Sequence, residues 1–305
     1  SAGQGQAPAR QASFVAGLDV TVPATTLNKM CGSGMKTAMV GFDQVSLGQT
    51  NVMAVGGMES MSNAPYILPK MRSGKRLGHD EVKDHMFIDG LEDVYEKGRL
   101  MGTFAEDCAE KYQFTREVQD DYALTSLSNA FKAQEAGAFV NEIVEFSYKT
   151  RRGEVTISND EQPAKANPEK IPHLKPAFRK NGTVTPANSS SISDGSAALV
   201  LASKSYANKN HLNVRARILG HASHAQEPGW FTTAPIPAAR KLLDNVGWAI
   251  QDVDLWEVNE AFAVVPLAFM QNMGIVREKI NVHGGACSLG HPIGASGARI
   301  IVTLL

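Results

Sequence analysis

A cysteine at the start of a helical pattern is the residue of this chain best suited to chemistry. Cys31 lies in the segment NKMCGSGMK, residues 28–36, and apolar residues follow it at helical spacing. A thiolate is a strong nucleophile that forms a thioester with an acyl group. We expect Cys31 to lie at a strand-to-helix turn, after an apolar stretch at residues 16–27. There a helix N-terminus would lower the thiol pKa and offer backbone N–H groups to an oxyanion. The alternative is an inert buried cysteine.

Two further motifs place an asparagine and a histidine in tightly turning contexts. They are VNEAFA at residues 258–263 and GGACSLGHPIGASGAR at residues 284–299. Together with the Cys31 segment, and in the same order, these motifs resemble the thiolase family, most closely its short-chain members. The similarity runs along essentially the whole chain.

The resemblance implies an α/β fold of two duplicated halves, layered α-β-α-β-α, with an inserted loop domain that covers coenzyme A. Residues 1–204 correspond to the N-terminal half, with the loop domain at about 62–190, and residues 211–305 to the C-terminal half. Compared with the family, the chain looks incomplete at both ends. It opens after the first strand and helix and stops before the second catalytic cysteine motif, so we expect the 305 residues not to sustain full turnover.

The resemblance also implies the roles of three residues. Cys31 forms an acetyl-enzyme, and His291 draws its proton, so that the pair stores charge as thiolate and imidazolium. Asn259 holds a water that, with His291, donates hydrogen bonds to an enolate oxygen. Read without the motifs, His291 is a turn histidine and Asn259 a strand-end asparagine. Glu260 is left open between a buried structural acid and a group that orients its neighbours.

The family's substrates are coenzyme A thioesters, and the implied reaction converts two acetyl-CoA into acetoacetyl-CoA and CoA, or the reverse, with no cofactor. By resemblance, Ser190 contacts the pantetheine arm, Phe178 forms a wall of the CoA site, and the apolar lining near the acyl group comprises Leu91, Met101 and Phe262. Leu100 stands where many short-chain thiolases have a histidine, which leaves the acyl-chain preference open. The alternatives are a 3-ketoacyl-CoA thiolase for longer chains and a non-catalytic CoA-binding protein. A ketoacyl synthase fits less well, because it uses two histidines and lacks the NEAF motif.

Composition agrees with a globular enzyme. The chain has 305 residues, 43% hydrophobic and 20% charged, and a formal net charge of −1, which argues against a nucleic-acid or membrane-surface protein. Three widely spaced cysteines fit a reducing compartment, and we expect a cytoplasmic homodimer or homotetramer. His283, Cys287 and His291 recur every four residues, as a helical metal site would, but the intervening glycines and Pro292 disfavour a helix there.

Hydrophobic periodicity and caps predict the elements that position these motifs. Strands are expected at 51–57, 197–202, 214–219 and 253–258, and helices at 116–137, capped by Thr115, and from 237. The similar tetrapeptides SGMK, residues 33–36, and SGAR, residues 296–299, suggest the two central helices of an internal duplication.

Overall fold

The computed structural model describes residues 1–305 as ten helices and six strands with connecting 3-10 turns and loops. The helices are α1 (Pro8–Val15), α2 (Ser33–Ser46), α3 (Met101–Tyr112), α4 (Arg116–Glu135), α5 (Glu161–Lys165), α6 (Lys204–Lys209), α7 (Pro235–Val246), α8 (Val264–Met273), α9 (Ala286–Leu289) and α10 (Ile293–Leu304). The strands are β1 (Val52–Ser60), β2 (Tyr66–Ile67), β3 (Lys83–Asp84), β4 (Phe146–Thr150), β5 (Gly153–Ile157) and β6 (Asp194–Ala202). None of the helices combines the length and apolar character that crossing a membrane requires.

The site rests on an antiparallel pair of long strands, β1 and β6, which confirms two of the predicted strands. Their register pairs Val52 with Ala202 and Ser60 with Asp194. Both strands pack against α10, and β1 also packs against α2. The small strands β2, β3, β4 and β5 form two separate hairpin-like sheets within residues 62–190.

The two tetrapeptides that suggested a duplication meet in the structure. They begin α2 and lie in the first turns of α10, and these helices pack closely together. A Cβ at Gly34 would lie 2.5 Å from the Ala298 nitrogen, and one at Gly297 would lie 2.5 Å from the Met35 nitrogen. Only glycine allows backbones to approach so closely. The same Ser-Gly pattern therefore serves both helices at one contact.

Helix α4 starts and ends close to its predicted bounds. Thr115 Oγ1 accepts a hydrogen bond from the Val118 N–H at 3.4 Å, so the predicted N-cap is confirmed. The apolar residues of α4 do not form one buried stripe: Val118 and Phe131 are exposed, whereas Tyr122 and Leu127 are buried. Of the buried polar residues on α4, Ser126 bonds to the C-terminal half, as described below, whereas Gln119 and Asp120 bond to residues 183 and 188.

Three expected strands do not form. Residues 16–27 and 214–219 belong to no strand, and residues 253–258 keep only one parallel bridge, from Trp256 to Ile280. A strand requires a neighbouring strand to complete its backbone hydrogen bonds; residues 16–27 and 214–219 have no such neighbour, and residues 253–258 pair only at Trp256. Hydrophobic patterning detects the burial tendency of a segment but not the presence of its partner.

The largest hydrophobic cluster lies beneath the C-terminal motifs. It joins α3, α7 and α8 to the segments around residues 258–262 and 275–280. Phe269, Val264 and Ile280 are almost fully inaccessible to solvent. Burying side chains of this size stabilises the fold by about 1.5–3 kcal/mol each. Asn259 therefore directly follows a member of this cluster, Val258.

Candidate active site

Cys31 lies in a short turn immediately before α2. The 3-10 turn Met30–Gly32 leads directly into α2, so the expected strand-to-helix turn is replaced by a loop-to-helix turn. Met30 has φ 48°, a left-handed conformation that is uncommon for a residue other than glycine. Polar side chains stabilise it: Asn28 Oδ1 accepts from the Met30 N–H at 2.8 Å, and the Ser33 hydroxyl donates to the Met30 carbonyl at 2.7 Å. The turn presents the Cys31 side chain at an exposed position.

The Cys31 thiol and the His291 imidazole are in direct contact. His291 Nε2 lies 3.2 Å from Cys31 Sγ, although 260 residues separate them in the chain. His291 follows Gly290, whose φ of 100° requires glycine, and directly precedes Pro292, the N-cap residue of α10. The close packing of α2 on α10 thus brings the cysteine turn and the histidine turn together.

A buried serine determines which nitrogen of His291 faces the thiol as an acceptor. Ser296 Oγ lies 2.5 Å from His291 Nδ1 and donates its own hydrogen to the Pro292 carbonyl at 3.1 Å. With its hydrogen so engaged, the Ser296 oxygen accepts from an Nδ1–H. We therefore assign the proton to Nδ1, which leaves the Nε2 lone pair free to accept the Cys31 S–H.

The Asn259 side chain approaches the same His291 nitrogen as the Cys31 thiol, Nε2. Its Nδ2 lies 3.4 Å from His291 Nε2, and its Oδ1 is buried without a hydrogen-bond partner. A buried amide oxygen without a partner is unfavourable by about 1–3 kcal/mol, so a site that retains one is shaped for an incoming polar group. Asn259 and His291 together offer polar atoms to one small region beside the thiol.

Asn281 holds the Asn259 segment in place of a strand. Its side chain accepts from the Val258 N–H and donates to the Val258 carbonyl, both at 2.8 Å. These are the two bonds that a paired strand would make. An amide side chain therefore continues the single bridge at Trp256, which explains how Asn259 is positioned without the predicted strand.

The environment favours the uncharged forms of both partners. Burial raises the pKa of the Cys31 thiol to about 11, and the Glu59 charge adds to this effect, although the side chain keeps access to solvent. Burial and the Arg299 charge lower the pKa of His291 to about 4. These shifts run against the expected depression of the thiol pKa, because burial disfavours the charged form of each group. They favour the thiol and the imidazole over the expected ion pair.

Glu260 is a structural acid. It is fully buried and accepts hydrogen bonds from Tyr122 Oη at 2.8 Å, Ser126 Oγ at 2.8 Å, Asn281 Nδ2 at 2.9 Å and the Cys287 N–H at 3.0 Å. These bonds join α4, in the expected loop domain, to the C-terminal half. These contacts support the interpretation of Glu260 as a buried structural acid and account for the burial of Ser126 on α4.

The predicted substrate-lining residues are linked by contacts among themselves or their neighbours in the chain. Phe178 and Phe262 form an edge-to-face pair with ring centroids 6.0 Å apart, and Met101 packs against the same cluster. The Ser190 hydroxyl donates to the Ala261 carbonyl at 3.0 Å, next to Phe262. Leu91 is brought near Met101 by the bridge between their neighbours Glu92 and Leu100. An apolar wall with few polar groups suits a thioester substrate.

The other two cysteines are engaged elsewhere, Cys108 in the core and Cys287 at a partly buried position. Cys108 is fully buried in the main cluster, and burial raises the pKa of its thiol. Cys287 Sγ lies 3.6 Å from the Glu260 carbonyl, and burial raises the pKa of that thiol as well. His283 packs edge-to-face on Phe139, with ring centroids 5.9 Å apart. The three residues of the four-residue repeat thus have three different sets of partners.

Sequence reasoning missed two residues of the site, Ser296 and Glu59. Ser296 was noticed only as part of the repeated tetrapeptide, although a hydroxyl five residues after His291, in the next helix, is a signal for a histidine partner. Glu59 accepts a hydrogen bond from the Gly294 N–H at 3.0 Å, at the start of α10. Nothing in its local pattern indicates that contact.

Comparison with known proteins shows the family of the chain. Residues 1–205 match the model of the thiolase N-terminal domain, and residues 212–305 match that of the thiolase C-terminal domain. The chain is 51% identical to "Acetyl-CoA acetyltransferase 2" of Arabidopsis thaliana, covering all of this chain and 76% of the relative. It is 47% identical to "Acetyl-CoA acetyltransferase" of Pseudomonas aeruginosa, again over the whole chain and 78% of the relative.

Solved structures give the same result. The crystal structure of the Bacillus anthracis acetyl-CoA acetyltransferase superposes with a TM-score of 0.95 at 43% identity, covering all of this chain and 77% of that one. The Acat5 thiolase from Ascaris suum in complex with coenzyme A superposes with a TM-score of 0.94 at 41% identity, covering 78% of that chain. With both family models and the fold in agreement, this chain belongs to the thiolase family.

Proposed function

We propose that the protein transfers acetyl groups between coenzyme A thioesters through Cys31, as an acetyl-CoA C-acetyltransferase. The observation that carries the proposal is the 3.2 Å contact between Cys31 Sγ and His291 Nε2, with Asn259 at the same nitrogen. Membership of the thiolase family and the names of the relatives support acetyl-CoA as the substrate.

In the first half-reaction the Cys31 sulfur attacks the thioester carbonyl of acetyl-CoA while its proton passes to His291 Nε2. The bond between the carbonyl carbon and the CoA sulfur then breaks, and the departing CoA thiolate takes the proton from His291. Ser296 accepts the Nδ1–H throughout and keeps the imidazole in the acceptor orientation. Because the pair starts uncharged, proton transfer accompanies attack and does not precede it.

In the second half-reaction a base takes an α-proton from a second acetyl-CoA, and the enolate carbon attacks the acetyl carbonyl carbon on Cys31. The enolate oxygen carries negative charge, which Asn259 Nδ2 is placed to stabilise. As the new carbon–carbon bond forms, the bond from that carbonyl carbon to Cys31 Sγ breaks, the Cys31 thiolate regains a proton from the base through His291 Nε2, and acetoacetyl-CoA is released. Neither Cys108 nor Cys287 is arranged to remove the α-proton, since the Cys108 thiol is fully buried and the Cys287 thiol faces the Glu260 carbonyl. The proposed reaction uses only CoA thioesters and requires no metal or prosthetic group.

The direct test is acetylation of Cys31. Incubation of the 305-residue protein with acetyl-CoA should add one acetyl group, located by peptide mass spectrometry on the peptide that contains Cys31. Cys31→Ala should abolish the modification, and Cys108→Ala, a matched loss of one thiol, should not. Acetylation that persists in Cys31→Ala would refute the assignment of the nucleophile.

A preference for longer acyl chains is the second candidate. It is favoured by Leu100, a half-buried apolar residue beside Met101, at a position where many short-chain thiolases have a histidine. Rates of Cys31 acylation by acetyl-CoA, butyryl-CoA and hexanoyl-CoA separate the two. We expect the acetyl donor to react fastest; a faster hexanoyl donor would assign the protein to the longer-chain type.

We also propose that the protein assembles as a homodimer or homotetramer. The segment before the cysteine turn exposes Phe14, Val15 and Val20, with Val15 90% accessible and Val20 70% accessible. Adjacent exposed apolar residues indicate an interaction surface. Light scattering after size-exclusion chromatography measures the assembly, and a monomer at micromolar concentration would refute it.

A further inference from the structure

Glu59 is a carboxylate beside the Cys31–His291 pair that the proposed transfer does not use. It lies near the end of β1, and alternation along the strand places Val55, Gly57 and Glu59 on one face. That face meets α10: a Cβ at Gly57 would overlap the Gly294 carbonyl oxygen, and a Cβ at Gly294 would lie 2.8 Å from the Met58 carbonyl oxygen. Strand and helix therefore touch through their backbones next to Glu59.

Glu59 caps α10 from outside the helix. Its Oε2 accepts from the N–H of Gly294, the second residue of α10, at 3.0 Å. The first N–H groups of a helix lack partners within the helix, and the N-cap residue Pro292 provides no side-chain hydrogen bond. A carboxylate at this end is also favoured by the helix dipole. Because His291 directly precedes Pro292, this bond fixes the histidine turn against β1.

The charge of Glu59 acts on the thiol of the pair. The charged groups that bear on the pair are Glu59 from β1, which acts on Cys31, and Arg299 from α10, which acts on His291. Glu59 opposes a negative charge on Cys31, and Arg299 opposes a positive charge on His291. A carboxylate near an imidazole favours its protonated form. Because His291 Nε2 lies 3.2 Å from Cys31 Sγ, the thiol on which Glu59 acts directly adjoins the imidazole that takes up its proton.

We propose that Glu59 is a positioning residue for acyl transfer, which caps α10 to hold His291 against Cys31 and uses its charge to keep the thiol protonated until the substrate arrives. This inference rests on the proposed transfer through Cys31. When the Sγ proton passes to His291, the carboxylate stabilises the imidazolium that forms. The charge of Glu59 should therefore slow reactions that require the Cys31 thiolate, such as alkylation, and speed the acetylation of Cys31 by a thioester.

Opposite effects on two reactions of one thiol provide the test. Glu59→Gln keeps an oxygen that accepts from the Gly294 N–H but removes the charge. We expect alkylation of Cys31 by iodoacetamide at pH 8 to become at least about threefold faster, because a larger fraction is thiolate. Acetylation of Cys31 by acetyl-CoA should become at least about threefold slower, because the imidazolium loses its counter-charge.

The matched control is Glu106→Gln. Glu106 also accepts backbone hydrogen bonds, from the N–H groups of Thr183 and Val184 at 2.9–3.0 Å. Unlike Glu59, it makes these bonds away from the start of α10 and from His291. Both rates should stay within about twofold of the unsubstituted protein, since charge effects weaken with distance. The control separates the local effect of Glu59 from a general change in net charge.

Two results would overturn the proposal. One is Glu59→Gln protein that melts like the unsubstituted protein with both rates unchanged; the other is a parallel fall of both rates, which indicates only a structural role. If Glu59→Gln does not fold, Glu59→Asp replaces it: the charge is kept, so the alkylation profile against pH should match the unsubstituted protein while acetylation slows, and a shifted profile refutes the proposal. Alkylation needs no acyl-CoA, so a failure of acetyl transfer remains distinguishable.

Discussion

Removing the hydroxyl of Ser296 should slow the acetylation of Cys31, although Ser296 is the partner of His291 and not of the thiol. Ser296 is 1% exposed, and its oxygen is the partner of His291 Nδ1 at 2.5 Å. In Ser296→Ala the Nδ1–H is left buried without an acceptor, and the imidazole can move its proton to Nε2 to escape that loss. With hydrogen on Nε2, His291 no longer accepts from the Cys31 thiol.

The magnitude follows from the penalty for an unsatisfied buried donor. That penalty is about 1–3 kcal/mol. If it falls wholly on the tautomer that acts as base, the rate of Cys31 acetylation drops by about 5- to 150-fold, at tenfold for each 1.36 kcal/mol. The free energy of unfolding should fall by a similar 1–3 kcal/mol, because the same donor is satisfied in the unfolded chain by water.

The assay is single-turnover acetylation of Cys31, quenched at intervals and measured by mass spectrometry, together with thermal unfolding. Ser126→Ala is the matched control, since Ser126 is also fully buried and donates to Glu260 Oε2 at 2.8 Å, away from His291. It should lose stability comparably while acetylation stays within about threefold. Nitrogen NMR of His291 should show protonated Nδ1 in the unsubstituted protein and loss of that preference in Ser296→Ala.

Acetylation at the unsubstituted rate in a folded Ser296→Ala protein would refute the tautomer assignment. An equal loss of acetylation in Ser296→Ala and Ser126→Ala would also refute it, because the effect would then follow stability and not the imidazole.

Three further predictions follow from the structure. Burial raises the pKa of Glu257 to about 8 against a reference of 4.5, so between these pH values the folded protein binds more protons than the unfolded chain. The free energy of unfolding should therefore fall as pH rises from about 4.5 to 8. Glu257→Gln should make the slope of melting temperature against pH less negative in this range, and an unchanged slope would contradict the shift. Gly34→Ala should lower the free energy of unfolding, measured by chemical unfolding, by about 1–3 kcal/mol, because the new Cβ would lie 2.5 Å from the Ala298 nitrogen. Gly32→Ala should change the free energy of unfolding little, because the atom nearest to its new Cβ is 3.8 Å away. Equal effects of the two substitutions would contradict the close contact at Gly34. His291→Ala should slow Cys31 acetylation, measured by rapid quench, by about 100-fold or more. Asn259→Ala should leave the acetylation rate within about tenfold of the unsubstituted protein, since an amide cannot take the thiol proton. The reverse order of the two effects would exchange the roles of His291 and Asn259.

Local sequence signals predicted helix ends, which depend on neighbouring residues, and strands whose partner strand is present in the structure. The Thr115 cap, the proline at the start of α7, and the strands β1 and β6 depend on short patterns and on each other. The predicted strands at residues 214–219 and 253–258 failed because a strand needs a partner, and patterning cannot show which segment supplies it. For residue 259 that partner is partly the Asn281 side chain, which no strand pattern describes.

The sequence by itself identified the family, the nucleophile candidate and its two companions, because a cysteine, an asparagine and a histidine in glycine-rich motifs are a chemical signature that can be read without coordinates. Only the tertiary structure decided how they act. The glycine contact between α2 and α10 places His291 Nε2 3.2 Å from Cys31 Sγ, and Ser296 sets its tautomer. Burial then reverses the expected charge state, since a pKa depends on the water and charges that surround a group in space, and these come from residues distant in the chain.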